Sequence, residues 1–202
     1  MEYGIRRRSA LLLPATSDDL AWVFHAFDQK EIWTMFGLPG PARFRIMRAH
    51  RLGTVVIGII HKHERVCQTD ASQSRIGFIV VFAPTPDFDF WEFSFAIPDA
   101  KDRDGFTALN AADAMCHYML DHLHVETLGW RVRVDNGASE AVVRRIGYQA
   151  FDTWEVDGHP YRFYRLDQAG WGARKARLSR GKTSASLGVD GFEVVPASVD
   201  DS

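Results

Sequence analysis

The chain has 202 residues, enough for one domain with a full core and too few for two of ordinary size. Hydrophobic residues at 46% and charged residues at 25% describe a globular protein and exclude a disordered or collagenous one. A net charge of -2 lacks the signature of a nucleic-acid binder, so no nucleic-acid partner is expected.

Residues 5–13 pass from alternating basic and apolar character to wholly apolar, which predicts a first strand ended by Pro14. The apolar run Ala10 to Leu13 behind Arg6-Arg7-Arg8 is too brief for a signal peptide or a membrane span. The reading is therefore cytoplasmic, with no membrane partner. Thr16-Ser17-Asp18-Asp19 is N-cap chemistry, and Leu20, Val23, Phe24 and Phe27 at helical spacing predict a helix over 17–28. A second short helix is predicted over 30–36, before Gly37, Pro39, Gly40 and Pro41 impose a loop. Trp33, Met35 and Phe36 in this stretch read as core packing or as the lining of a substrate pocket, with Trp33 and Phe36 taken as the candidate substrate contacts.

Thr54–Ile60 and Arg75–Phe82 are β-branched runs that predict an antiparallel hairpin with a long connection. His61 and His63 share a strand-end face, but a metal site needs a third ligand that the sequence does not place, so no metal is expected. Cys67 and Cys116 have neither CxxC spacing nor the density of a secreted disulfide scaffold, which predicts reduced thiols.

Phe90–Ile97 reads as a strand with Trp91, Phe93, Phe95 and Ile97 on one face and Glu92, Ser94 and Ala96 on the other. Gly105 opens a helix to about His122, whose Asp113, His117 and Asp121 form a stripe that reads as a solvated face. Thr127–Val134 is the next strand. Asn136 starts a helix over 138–145 that stops at Gly147, and strands over 151–156 and 161–166 flank an Asp157-Gly158 turn. Beyond Trp171 the composition shifts toward Gly, Ser, Arg and Lys. That predicts a domain over 1–171 and a flexible tail over 172–202. The tail's cluster of Arg174, Lys175, Arg177, Arg180 and Lys182 reads as solvated, with phosphate contact as the competing reading.

The order β, α, α, β, β, β, α, β, α, β, β predicts an α+β protein, a sheet layered with helices (α/β three-layer). That order, with the residues inside it, resembles the GNAT superfamily of N-acetyltransferases, and within it the branch of ribosomal-protein alanine and serine acetyltransferases. Asn136-Gly137-Ala138-Ser139 followed by Arg145-Ile146-Gly147-Tyr148 is similar to that branch's Asn-x-x-Ser run and its helix-ending Gly and aromatic. Glu92 to Ile97 followed by Gly105-Phe106 is similar to the family's Glu-Ile-Gly-Tyr strand and pyrophosphate turn. The sister branch's tyrosine acid would stand seven residues after the Asn, where this chain has Val143.

The resemblance implies a mixed, mostly antiparallel sheet, flanked by helices and splayed between the strand at Glu92 to Ile97 and the strand at Leu128 to Val134. It implies acetyl-CoA as cosubstrate, and a homodimer is the assembly that members of the family often form, the oligomeric state itself being left open by the sequence. Pantetheine would lie in the splay against Phe95, Ala96 and Ile97, and pyrophosphate against Arg103, Asp104, Gly105, Phe106 and Thr107, where helix N–H groups are free. Asn136 and Ser139 would complete the coenzyme contacts. The family's turn differs at two positions, which here hold Asp102 and Thr107. An aspartate there repels phosphate, with Lys101 and Arg103 placed to compensate.

Acetyl transfer to a small-molecule or protein amine needs a base for the ammonium and a proton for the leaving thiolate. Glu92 is the candidate base, with a structural ion pair as its competing reading. Ser139 is the candidate for holding or protonating the thiolate, with helix capping by Asn136 and Ser139 as the competing reading. A non-catalytic GNAT-fold binding protein with a degenerate coenzyme site is the alternative function.

Overall fold

The computed structural model describes residues 1, 4–38, 40–62, 75–86, 88–156, 158–179 and 192–195. Cys67, His63, Arg180 and Lys182 lie outside them. In chain order the elements are β1 (Gly4–Arg7), β2 (Ala10–Pro14), α1 (Ser17–Ala26), α2 (Lys30–Met35), α3 (Arg43–Arg51), β3 (Val55–Lys62) and β4 (Arg75–Phe82). There follow β5 (Trp91–Ala96), α4 (Gly105–Cys116), β6 (Thr127–Arg133), α5 (Gly137–Ile146), β7 (Gln149–Val156), β8 (His159–Asp167), α6 (Gln168–Ser179) and β9 (Glu193–Val195). The strands make one nine-stranded sheet in the order β7-β8-β6-β5-β4-β3-β2-β1-β9. No helix among the described residues is long and apolar enough to cross a membrane.

Local chemistry sets the element ends. Thr16 and Asp19 cap α1 reciprocally: the Asp19 N–H donates to Thr16 Oγ1 at 3.2 Å and the Thr16 N–H to the Asp19 carboxylate at 3.1 Å. Gly147 ends α5 in the left-handed region, at φ +117°. The first strand predicted from sequence is two strands, because Arg8 takes a left-handed φ of +48° and turns the chain back on itself. Helix α3 was not predicted, since its apolar pattern reduces to one buried residue, Ile46.

Alternation along the strands builds two cores. Phe78, Val80, Ala96, Ile57 and Ile59 face α1 to α3, while Ile79, Val81, Phe93, Leu128 and Trp130 face α4 to α6. Among the described residues all strand pairings are antiparallel except β5 with β6, which is parallel and registers only Trp91 with Leu128, Glu92 with Gly129 and Phe93 with Trp130. From Ser94 onward β5 bonds only to β4 on its other edge, and β6 from Arg131 onward bonds only to β8. The sheet is thus splayed between the two strands where the family resemblance implies it. Rings wedge the fork open: Phe93 and Phe95 pack on Trp130 at 4.3 and 5.5 Å between centroids, and Tyr148 backs Trp130 at 5.6 Å.

The predicted tail begins too early. Residues 168–179 form α6, and Glu193–Val195 pairs with β1 at the sheet edge. The acidic stripe predicted to be solvated is the surface that α6 covers. Asp113 is 1% exposed and takes two hydrogen bonds from Arg174, at 3.0 and 2.6 Å. Asp121 accepts from Trp171 Nε1 at 2.9 Å and from Lys175 Nζ at 2.8 Å. Trp171 is fully buried, an apolar contribution of roughly 2–3 kcal/mol. Arg177 donates to the Ile146 carbonyl at 3.1 Å, so the described part of the basic cluster is bonded within the fold. The stripe and the cluster each read as solvated alone because neither pattern contains the other.

Removing one partner of a buried ion pair strands the other charge, so Arg174→Ala is expected to cost about 3–5 kcal/mol in urea unfolding. Replacing both residues with leucine should recover most of that loss. Gly129 packs under the Phe90 ring, where a Cβ would come within 1.9 Å of a ring carbon. Gly129→Ala should therefore destabilise by about 1–3 kcal/mol or more in the same assay.

Candidate acyl-transfer site

The fork between β5 and β6 opens into a cleft of about 220 Å³. Its walls are Phe95, Ala96 and Ile97 from β5, Arg103, Asp104, Gly105 and Ala108 at the start of α4, Asn136, Ala138, Ser139 and Val142 from α5, and Met35 from α2. A throat lined by Ser94, Trp130, Arg131 and Arg133 continues from it between the strands, sharing Met35, Phe95, Asn136 and Ser139. It leads to a mouth formed by Thr34, Met35, Arg133, Asp135 and Asn136. Backbone groups on the free edge of β5 face this space with no ladder partner, which makes them available to an amide-bearing ligand.

Asp104 caps α4. It accepts from the Thr107 N–H at 2.6 Å and from the Thr107 hydroxyl at 2.9 Å. Burial alone would raise the Asp104 pKa, but the hydrogen bonds from Thr107 and Lys62 outweigh it and hold the carboxyl below its ordinary value. Lys62, at the end of β3, lies 3.3 Å from Asp104 and 3.6 Å from Asp102. Asp102 is buried, and it does not line the cleft, so the charge that the sequence sets beside the turn is turned inward and neutralised. Lys101 pairs with Asp99 at 2.7 Å. Arg103 donates to the carbonyls of Ile97 and Pro98 at 2.8 and 2.7 Å, which fixes the chain as it leaves β5. Gly105 is open, with no heavy atom within 4 Å of where a Cβ would stand.

Asn136 Oδ1 accepts from the Ser139 N–H at 3.1 Å, the capping bond that the residue types allow. The Ser139 hydroxyl has no hydrogen-bond partner among the described residues and faces the cleft. Val143 is buried, so no tyrosine acid stands on this face of α5. Tyr148 is buried against the Cys116 sulfur at 3.5 Å, and burial pushes both the phenol and the thiol up from their ordinary values.

Glu92 lies in the paired part of β5, on the α2 side of the sheet. Its Oε1 is 2.9 Å from Arg131 Nη2, an ion pair at the limit of hydrogen-bond geometry. Burial pushes the Glu92 carboxyl up from its ordinary value, against the charge and hydrogen bond of Arg131 and the charge of Arg45. Arg131 also donates to the Phe36 carbonyl at 3.5 Å and stacks over Tyr161 at 5.8 Å.

The residues singled out in the sequence divide accordingly. Phe95, Ala96, Ile97, Arg103, Asp104, Gly105, Asn136 and Ser139 come together around the cleft. Thr107 is buried behind its cap, and Phe106 is 67% exposed under Arg145. Glu92 adjoins the throat only through Arg131. Phe36 is a core residue in ring contact with Phe27 and Phe78, and Trp33 lines none of these spaces, whereas their neighbours Thr34 and Met35 do. Of the three apolar residues weighed in this stretch, Met35 is the one that lines the cleft. Sequence reasoning missed Lys62 and Arg131, both of which are placed by sheet register.

Residues 10–149 match the family model described as an acetyltransferase (GNAT) domain. The chain belongs to the GNAT acetyltransferase family. No curated protein matches it in sequence. Among solved structures, it is similar to a spermidine N-acetyltransferase from Vibrio cholerae in complex with CoA and spermine, at 12% identity, covering 81% of this chain and 98% of that one, with a TM-score of 0.63. It is similar to the ribosomal-protein-S5-alanine acetyltransferase of Vibrio fischeri at 10% identity, 83% and 98% coverage and a TM-score of 0.61. An acetyltransferase from Agrobacterium tumefaciens matches at 21% identity, 82% and 94% coverage and a TM-score of 0.61. At such identities the likeness is one of fold.

The family's cosubstrate is acetyl-CoA, and the cleft fits it. The free β5 edge can pair with pantetheine amides, Gly105 admits close approach at the start of α4, and Lys62 offsets the local carboxylates. Gly105→Glu should fold normally, since the site of the new side chain is open, and should abolish acetyl-CoA binding in calorimetric titration. Lys62→Ala, which leaves Asp104 uncompensated, should weaken that binding roughly tenfold or more, the loss growing as salt is lowered.

Proposed function

We propose that this protein is an N-acetyltransferase that moves the acetyl group of acetyl-CoA to a primary amine by direct attack, without an acyl-enzyme. The observation that carries the reading is the splayed β5 edge, which opens on a cleft bounded by the α4 N-terminus on one side and by Asn136 and Ser139 on the other. Acetyl-CoA supplies the activated thioester.

The chain's own residues would bind, orient and move protons. The β5 edge and α4 would hold the coenzyme, and Asn136, fixed as the α5 cap, would keep the first turn of α5 against it. The Ser139 hydroxyl is the proton donor to, or hydrogen-bond partner of, the leaving sulfur. Glu92 takes the ammonium proton through water at the throat, a role suited to a carboxylate buried beside Arg131 whose pKa is raised by that burial.

The sign of the pH dependence follows. Glu92 is an active base only when ionised, so kcat/KM should fall as pH drops through a value above that of an ordinary glutamate. Glu92→Gln should lower kcat by about 10²–10⁴-fold and remove that acidic limb. Ser139→Ala should lower kcat roughly tenfold or more while acetyl-CoA affinity changes little. Full turnover in both variants with an accepted amine would refute these assignments.

A further inference from the structure

Helix α3 takes no part in the cleft. It is anchored by the fully buried Ile46, by the Ala42 N–H to Phe27 carbonyl bond at 3.1 Å and by the Arg43 to Asp28 pair at 3.4 Å. At about 100° per residue, Phe44, Arg45, Arg48, Arg51 and Leu52 fall within an arc of roughly 120° facing away from Ile46. All are exposed, Phe44 by 81% and Leu52 by 65%. No Asp or Glu occurs between Glu31 and Glu64. Among the described residues Arg45, Arg48 and Arg51 make no ion pair or hydrogen bond, whereas Arg131, Arg133, Arg174 and Lys175 are each paired with a carboxylate. A chain of net charge -2 thus concentrates unpaired positive charge on one helix face.

Of this face, Arg45 also bears electrostatically on the Glu92 carboxylate, which is paired with Arg131 beside the throat. The carboxylates at the throat and mouth, Glu92 and Asp135, are held by Arg131 and Arg133. A polycationic amine would meet the Arg131 and Arg133 guanidiniums there as well as the cations of α3, whereas an anionic chain would be attracted by both.

We propose that the exposed face of α3 docks an acidic segment of a polypeptide whose amine is the acceptor, an inference that rests on the acetyl-transfer reading. Arg45 to Arg51 spans about 9 Å along the helix, the length of roughly three extended residues. Acidic side chains along a short peptide stretch match that spacing, and Phe44 and Leu52 provide apolar contact at the two ends. A long polyanion such as a nucleic acid would extend past the strip into the field of a molecule whose overall charge opposes it.

The test uses the full chain, a labelled peptide with three acidic residues behind its amino terminus, and its lysine counterpart. Fluorescence anisotropy with and without acetyl-CoA reads docking, and acetyl-peptide formation reads chemistry. The acidic peptide should bind at least tenfold more tightly, and the difference should shrink as salt rises from about 50 to about 300 mM. Arg45→Glu/Arg48→Glu/Arg51→Glu should invert the preference while leaving the urea midpoint and acetyl-CoA affinity close to those of the parent. Equal affinities, a preference for the lysine peptide or spermidine, a preference that survives the charge reversal, or tighter binding of an oligonucleotide of equal charge would each overturn the proposal. Tight acidic binding without acetylation would support the docking face and refute the acetyl-transfer reading, so the two fail separately.

Discussion

The parting of β5 from β6 after Phe93 and Trp130 is the constraint on which the site depends. A parallel pair that continued to Ala96 and Arg133 would satisfy its own backbone and leave no cleft. Because the pair stops, one strand edge in the middle of the sheet carries unpaired N–H and C=O groups that must find water or a ligand. The fork is held by bulk rather than by a break in either strand: each strand keeps its outer antiparallel partner, and the rings of Phe93, Phe95, Trp130 and Tyr148 fill the angle on the α4 side. On the opposite side, Arg131 and Glu92 occupy the base of the fork and give it polar character.

Charge placement follows from the same geometry. Lys62 stands between two aspartates at the mouth of α4, Arg174 satisfies the buried Asp113, and Arg131 accompanies Glu92. The first two arrangements neutralise carboxylates that would otherwise disturb the coenzyme end or the core. The third keeps a carboxylate buried at the base of the fork, where burial raises its pKa against the charge of Arg131. Helix α3 is the reverse case, with cations that the fold leaves unmatched.

Much of this architecture was legible in the chain itself. Alternation in Trp91 to Ile97 gave the two faces of β5, and Gly147 after Ile146 gave the end of α5 with its backbone sign. Periodicity, caps and turn residues are local, so they are readable one stretch at a time. Helix α3 escaped because a helix with one buried residue has almost no apolar period to read. Of the aromatic stretch around α2, Phe36 went to the core and Met35 to the cleft, a choice made by the helix's rotation against the sheet.

The sequence alone determined most of the elements between α1 and β8, α3 excepted, together with the capping of α1 and α5 and the glycine at the start of α4, because each is fixed by neighbours within a few positions. Only the tertiary structure decided which charges meet. Asp113 and Arg174 are sixty-one positions apart, Lys62 reaches Asp102 and Asp104 from another strand, and Arg131 reaches Glu92 across the fork. Ion pairs of this kind are set by sheet register and helix docking, which no local pattern encodes, and they turned an acidic stripe and a basic cluster that each read as solvated into one buried interface.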